Sequence, residues 1–250
     1  VPAIFANVTP IALISPLTVV VRDLQPLQSV SAPEFAFATA PFTLCAGVLF
    51  ALGTGIYREE DLFTQRPVPL KLLDALAVRV TRPRDAAILA GLSVPFVFVA
   101  ELLAVAILFA LPVSVTVPLL LLAVAVVEEV AKSLHLFAAF EADRFPDTRR
   151  TALVLGGLAG LGFFVGEKFT AVVQVVGLPE LVVGRAAFAP SGIAVSTGVA
   201  LFLAPLVLHV VTTGLAALGA RRSLRWYAAA LVGSIALHAA YNLTVVTRLA

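Results

Sequence analysis

Long apolar runs recur along the whole chain, and several exceed the roughly 20 residues that a helix needs to cross a lipid bilayer. Seven candidate spans cover residues 3–21, 34–56, 86–111, 115–140, 151–176, 193–219 and 226–247. Only 13% of the residues are charged, whereas soluble domains contain roughly a quarter. The sequence therefore predicts an all-α fold, a polytopic bundle of about seven transmembrane helices in the lipid bilayer.

Basic residues between the spans predict the orientation. Twelve arginines and lysines lie in the connections 57–85, 141–150 and 220–225, which alternating spans place on one side. The opposite side holds three, namely Arg22, Arg185 and Arg248. Because basic residues accumulate in cytoplasmic loops, we expect the three connections to face the cytoplasm, in the plasma membrane of a prokaryote.

Two classes of protein are excluded by composition. A net charge of +2 without a basic patch interleaved with aromatic residues excludes nucleic acid as a partner. The single cysteine, Cys45, excludes an intramolecular disulfide and a zinc site made of several cysteines. We interpret Cys45 as a small apolar residue within a span.

Charged and polar residues cluster inside the last four spans. A charged side chain at the centre of a spanning helix costs about 2.5 to 3.5 kcal/mol on insertion scales, so such residues are candidates for function. The cluster consists of Glu128, Glu129, Lys132 and His135 in the fourth span, Glu167 and Lys168 in the fifth, His209 in the sixth, and His238 and Asn242 in the seventh.

Helix geometry indicates which of these side chains can meet. Lys132 follows Glu128 by four residues and Glu129 by three, so all three share one helix face. At 1.5 Å per residue, Glu128, His209 and His238 each lie roughly 15 to 18 Å from the predicted cytoplasmic ends of their spans, and Glu167 about one to two turns further out. We expect one polar cavity near the bilayer midplane.

Two neighbouring features have structural interpretations. Glycines at the start of the fifth span let helices approach closely, and we expect them to press Glu167 against the fourth span. Glu101 shares its own helix face with no other polar residue, so we interpret it as structural or as lining a cavity.

Four short motifs, in order and each on its own span, resemble a known family. The segment Glu128-Glu129-Val-Ala-Lys132 is similar to the EExxK motif of PrsW-type intramembrane proteases, which belong to the superfamily of the CAAX prenyl endopeptidases. Phe163-Phe-Val-Gly-Glu167 resembles the second motif, His209 the third, and His238-Ala-Ala-Tyr-Asn242 the fourth. CAAX enzymes instead have EExxxR and a histidine in the second motif, so prenylated substrates are not expected here.

The resemblance implies hydrolysis of peptide bonds in membrane-protein substrates. Glu128 or Glu129 would be the base that activates water, with Lys132 setting its protonation, and His238 and Asn242 would donate hydrogen bonds to the oxyanion. Two mechanisms stay open. In one, His209, His238 and Glu167 hold a metal ion, zinc being the expected cofactor. In the other, glutamate and histidine activate water without a metal.

The beginning of the chain suggests a different origin. The spans within residues 1–56 resemble the final spans of ABC-type export permeases, and the chain has no methionine, so we expect it to begin inside a longer protein. Residues 57–85 are expected to be a cytoplasmic linker whose amphipathic part, 68–80, lies on the membrane surface. Residues 86–250 would then be the protease domain.

Two other functions use the same residues. An ion-coupled or proton-coupled transporter also needs acids, a lysine and histidines within the membrane, and a noncatalytic scaffold would keep only the fold. Inverted repeats, which are typical of transporters, are not found. The sequence predicts neither the substrate nor the oligomeric state.

Overall fold

A computed structural model describes residues 16–24, 30–54, 67–108, 111–177 and 195–249. These ranges contain no strand and form the helices α1 (Pro16–Asp23), α2 (Ala32–Gly53), α3 (Val68–Arg79), α4 (Pro83–Leu108), α5 (Val113–Glu141), α6 (Arg149–Gly177), α7 (Val195–Ala220) and α8 (Leu224–Leu249). The predicted all-α fold is confirmed.

Six of these helices, α2 and α4 to α8, are long and apolar enough to cross a membrane. They coincide with six of the seven predicted spans. Residues 3–15 of the first predicted span lie outside the described residues, and its remainder falls in the short helix α1. The chain is thus a multi-pass membrane protein.

The outside of the bundle is apolar and its interior contains the charges. Large apolar side chains such as Leu103, Phe169 and Val207 are exposed, whereas Glu129 and Lys132 are fully buried. Lipid solvates apolar side chains well and charged ones poorly, so charged groups in membrane proteins face the bundle interior. The distribution of side chains is the one that a bilayer requires.

Helix α3 forms the second half of the predicted linker. It buries Ala75 and Ala77 against the bundle, where it packs on α5, and leaves Val68 and Leu70 exposed. The guanidinium of Arg79 donates a hydrogen bond to the carbonyl of Ala51 near the end of α2. This part of the linker is therefore a helix attached to the bundle.

Glycines bring α6 close to two neighbours. A Cβ built on Gly160 would lie 2.6 Å from the carbonyl oxygen of His209 in α7, and one built on Gly166 would lie 2.9 Å from a side-chain carbon of Val94 in α4. Real Cβ atoms do not approach other atoms so closely, so only glycine fits at these positions. The close approach is to the sixth and third spans, and the expected pressure against the fourth span is wrong.

Two of the basic connections lie at the same end of the bundle. Arg221, just after α7, forms a salt bridge of 3.2 Å with Asp147, just before α6. Alternation of the spans places both at the end where α5 finishes. This arrangement agrees with the predicted clustering of basic connections on one side; which side is cytoplasmic stays a prediction.

Candidate active site

Four helices bring the cluster together in the bundle interior. Its members are Glu128, Glu129 and Lys132 on α5, Glu167 on α6, His209 on α7 and His238 on α8. All are buried except Glu167, whose side chain is 35% exposed. The three α5 residues share a helix face, as their spacing predicts.

Glu129 receives two short hydrogen bonds on one oxygen of its carboxylate. Its Oε1 accepts a hydrogen bond of 2.6 Å from Lys132 Nζ and one of 2.8 Å from His238 Nδ1. These two hydrogen bonds replace those to water that the carboxylate loses when it is buried. Glu129 thereby joins α5 to α8 and fixes the orientation of the His238 ring.

Lys132 links the two halves of the site. Its Nζ also lies 2.8 Å from His209 Nδ1, and His209 Nε2 lies 2.9 Å from Glu167 Oε2. An ammonium group can only donate, so His209 Nδ1 is the acceptor and its Nε2–H donates to Glu167. The other oxygen of Glu167 accepts a hydrogen bond of 3.0 Å from Lys168. A continuous chain of hydrogen bonds thus crosses α5, α6 and α7.

Glu128 stands apart from this network. Its Oε2 is buried, has no hydrogen-bond partner among the described residues, and lies 3.8 Å from both Lys132 Nζ and His238 Nε2. Glu129 Oε2 is also unpartnered, but the Glu129 side chain is 0% exposed and that of Glu128 is 11% exposed. A buried carboxylate oxygen without a donor costs about 1 to 3 kcal/mol or more. Glu128 is therefore the acid best placed to bind water, a proton or a cation.

The residues also fit a divalent metal ion. One ligand atom each from Glu128, His209 and His238 lies within 4.8 Å of the others. His238 keeps its Nδ1 on Glu129 and leaves Nε2 for a ligand, which is how carboxylates orient metal-binding histidines. His209 would have to exchange one present partner for the ion. The carboxyl group of this set is Glu128, whereas the sequence interpretation named Glu167, which here bonds His209; which acid is the ligand stays a prediction.

The net charge of the cluster supports that fit. Three carboxyl groups, Glu128, Glu129 and Glu167, face two ammonium groups, Lys132 and Lys168. With neutral imidazoles the ionised cluster has an excess of one negative charge. A bound proton or a cation would offset it, because an uncompensated charge inside a bundle is costly.

Two predicted residues are placed beside the cluster. Asn242 is half-buried one turn beyond His238 and makes no side-chain hydrogen bond to any described residue. His135 is buried further along α5, and its Nε2 lies 3.1 Å from the carbonyl of Ala86 in α4. His135 therefore joins two helices outside the cluster.

The sequence interpretation missed several supporting side chains. Ser133 donates to the carbonyl of Glu129 at 2.6 Å and lies 2.9 Å from the hydroxyl of Tyr227. Ser234, one turn before His238, donates to the carbonyl of Thr212 in α7 at 2.8 Å. These bonds fix α8 against α5 and α7. Only the position of Ser133 beside Lys132 indicated such a role.

Glu101 has more polar surroundings than its own helix suggests. It lies close enough to Glu167 and Glu128 for electrostatic interaction with both carboxylates. The sequence interpretation considered only the face of its own helix, whereas these partners come from α5 and α6. The third span thus contributes Glu101 as an acid beside the cluster.

Comparison with known proteins identifies the family. A family model described as PrsW family intramembrane metalloprotease matches residues 85–250, about two thirds of the chain. No curated protein and no solved structure matches the chain. The match includes every residue of the cluster, and the resemblance of the first two spans to export permeases and the division into domains stay predictions. With its intramembrane cluster of acids, lysine and histidines, this multi-pass protein belongs to the PrsW family of intramembrane metalloproteases.

Proposed function

We propose that the chain hydrolyses peptide bonds of membrane-protein substrates at this cluster, with Glu128 activating the water. One observation supports this most directly. Glu128 Oε2 is buried, unpartnered and 3.8 Å from both an imidazole and an ammonium group. Such an oxygen can take a proton from water, and the neighbouring ammonium stabilises its charged form.

Glu129 is assigned a positioning role. Its Oε1 already accepts two hydrogen bonds, and its side chain is fully buried. A base that must receive a proton from water needs an unpartnered oxygen and a side chain that water can reach. Both acids have an unpartnered oxygen, but the Glu128 side chain is 11% exposed and that of Glu129 is 0% exposed. Glu129 instead holds Lys132 and His238 in place.

The bond changes follow from these positions. Glu128 takes one proton from water as the water oxygen attacks the carbonyl carbon of the substrate. It returns that proton to the amide nitrogen as the carbon–nitrogen bond breaks, which yields a carboxylic acid and an amine; transfer of the acid proton to the amine then gives a carboxylate and an ammonium group. Asn242, whose amide makes no other hydrogen bond within the described part of the chain, is the candidate donor to the oxyanion. His238 Nδ1 donates to Glu129, so its Nε2 presents a lone pair and suits a ligand or a water acceptor better than an oxyanion donor.

A zinc ion would be held by Glu128, His209 and His238. When bound, it would make its water more acidic and polarise the substrate carbonyl. Glu128 would then be a ligand, and Glu167, with 35% of its side chain exposed, would be freed to accept a proton if His209 held the ion through Nε2 in place of its bond to Glu167. Nitrogen and oxygen ligands of this kind suit zinc.

The substrates we propose are membrane-embedded segments. Peptide bonds in a spanning helix are hydrogen-bonded within that helix, so the segment must unwind locally before water reaches its carbonyl groups. The location we propose is a prokaryotic plasma membrane.

Proteolysis by the purified protein in lipid nanodiscs tests the function. A panel of fluorescent single-span fragments should yield products cut within the span, as identified by mass spectrometry. His238→Ala should abolish the cleavage. If no fragment is cut and the same preparation moves protons or ions across vesicle membranes, the transporter hypothesis replaces this one.

Chelation separates the two mechanisms. If Glu128 acts as a zinc ligand, a strong chelator abolishes cleavage, zinc restores it, and His238→Ala protein contains less zinc by elemental analysis. Cleavage that is indifferent to the chelator, in protein without bound metal, would instead support water activated by Glu128 alone.

A further inference from the structure

A pocket lies at the end of the bundle where the basic connections meet. It has a volume of about 520 Å³ and is formed by α6, α7, the connection 221–223 and α8. Its polar part consists of Arg149, Arg221, Arg222 and Trp226. Its apolar part includes Leu153, Leu215 and Ala229. Pockets of about 300 to 1,000 Å³ are the size of those that hold small organic ligands.

The charges of the pocket favour an anionic ligand. Arg221 has one acidic partner, Asp147, through Nη1 at 3.2 Å, while its buried Nε has no hydrogen-bond partner among the described residues. Arg222 lies with its guanidinium carbon 5.1 Å from the ring centre of Trp226. Three guanidinium groups and one neighbouring carboxylate leave a positive excess. Guanidinium groups bind phosphate through paired hydrogen bonds.

The position of the pocket indicates that the anionic group belongs to a lipid. Leu153 is about one turn into α6 from Arg149, and Leu215 lies about 9 Å into α7 from Arg221 by helical rise. Leu153, Leu215 and Trp226 are all exposed on the outside of the bundle, where acyl chains run. Tryptophan and arginine at helix ends are typical of the headgroup level of a bilayer.

We propose that this pocket binds one anionic phospholipid, whose phosphate lies among Arg149, Arg221 and Arg222 and whose acyl chain lies along Leu153 and Leu215. The lipid would join α6, α7 and α8, the helices that hold Glu167, His209 and His238. This site is separate from the proposed catalytic cluster, so it can exist whether or not the protease proposal is correct.

The single tryptophan of the chain, Trp226, lines the pocket and reports its occupancy. The purified protein is placed in vesicles that contain phosphatidylglycerol or phosphatidylcholine with the same brominated acyl chains, which quench tryptophan on contact. We expect phosphatidylglycerol to reach half-maximal quenching at a mole fraction at least about tenfold lower, because each arginine near a headgroup favours an anionic lipid. Equal quenching by the two lipids overturns the proposal.

Paired variants locate the effect. Arg149→Gln with Arg222→Gln should remove the preference, whereas Arg150→Gln with Arg225→Gln, at the same end but outside the pocket lining, should keep it. Ala229→Phe should weaken quenching by filling the apolar part without changing any charge. An equal loss in both arginine pairs would mean nonspecific attraction to the surface and would overturn the site.

Glycerol 3-phosphate separates a lipid site from a site for free phosphate. At a phosphate concentration equal to that of the lipid it should leave the preference unchanged, because it lacks the acyl chain. If it abolishes the preference, the pocket binds a soluble phosphate and the lipid proposal is wrong.

Discussion

Lys132 is the residue on which the electrostatics of the cluster depend. It is fully buried, donates to Glu129 at 2.6 Å and lies 2.8 Å from His209 Nδ1. It also lies 5.0 Å from the centre of the Phe163 ring, which excludes water on that side. A compact ammonium group reaches an acid and an imidazole on different helices, and the wider guanidinium of arginine would need more room.

Removal of one partner of a buried ion pair leaves the other charge uncompensated. We expect Glu129→Gln to lower the free energy of unfolding by about 3 to 5 kcal/mol and to reduce cleavage. Glu129→Gln combined with Lys132→Met should lose less stability than the sum of the two single losses, because Glu129 is the nearest acid to Lys132. The double variant should be inactive, since His238 loses its hydrogen bond to the carboxylate. Thermal unfolding in detergent and the cleavage assay measure both quantities.

If the stability losses of Glu129→Gln and Lys132→Met simply add up in the double variant, Glu129 and Lys132 do not act as a pair. The matched control is Glu141→Gln at the exposed end of α5, which should change neither stability nor cleavage by a measurable amount.

The sequence predicted the members of the cluster better than their separate roles. Adjacent Glu128 and Glu129 both face inward on one helix, so spacing alone could not tell which carboxylate is hydrogen-bonded by Lys132 and His238. The difference arises from His238, a residue 109 positions later that bonds Glu129 and not Glu128. The surroundings of Glu101 were missed for the same reason, since its charged neighbours belong to other helices.

At the scale of the helices, α6 positions the site by close approach. Gly160 packs directly on the backbone of His209. Because glycine has no side chain, the distance between α6 and α7 at the site is short. The bond of 2.9 Å between His209 and Glu167 depends on that distance. The glycines indicated a close helix contact, but the partner helix could not be read from them because spacing does not specify which neighbour a face meets.

A matched pair of glycine substitutions tests this contact. We expect Gly160→Ala to destabilise the protein by about 1 to 3 kcal/mol and to slow cleavage, because its Cβ would lie 2.6 Å from the His209 carbonyl oxygen and α7 must shift. Gly157→Ala adds a Cβ with nothing within 4 Å and should be neutral or slightly stabilising. Unfolding and cleavage that are the same for the two variants would show that the approach of α6 to α7 does not position His209.

At the scale of the whole molecule, alternating spans put the basic connections at one end. The apolar runs predicted six of the described helices, since a bilayer imposes length and composition on each span independently of its neighbours. The packing of α3 on α5 was not predicted, because a short amphipathic helix can bury its face against either lipid or protein.

Cysteine accessibility tests the orientation. With Cys45→Ser as background, we expect Ala142→Cys in intact cells to resist a membrane-impermeant maleimide and to react after permeabilisation. Leu111→Cys, between α4 and α5 at the opposite end, should react in intact cells. The reverse pattern would place the basic connections outside and contradict the positive-inside argument.

The central claim is that Glu128 activates water at this cluster, and the cleavage rate of Glu128→Gln under single-turnover conditions tests it most directly. The substitution keeps the shape of the side chain and removes its basicity, so we predict a rate lower by about 10² to 10⁴ with helicity and unfolding midpoint close to those of the unchanged protein. Glu141→Gln, at the exposed end of the same helix, should cleave normally. A folded Glu128→Gln protein that cleaves the same bond at the rate of the unchanged protein would contradict the account.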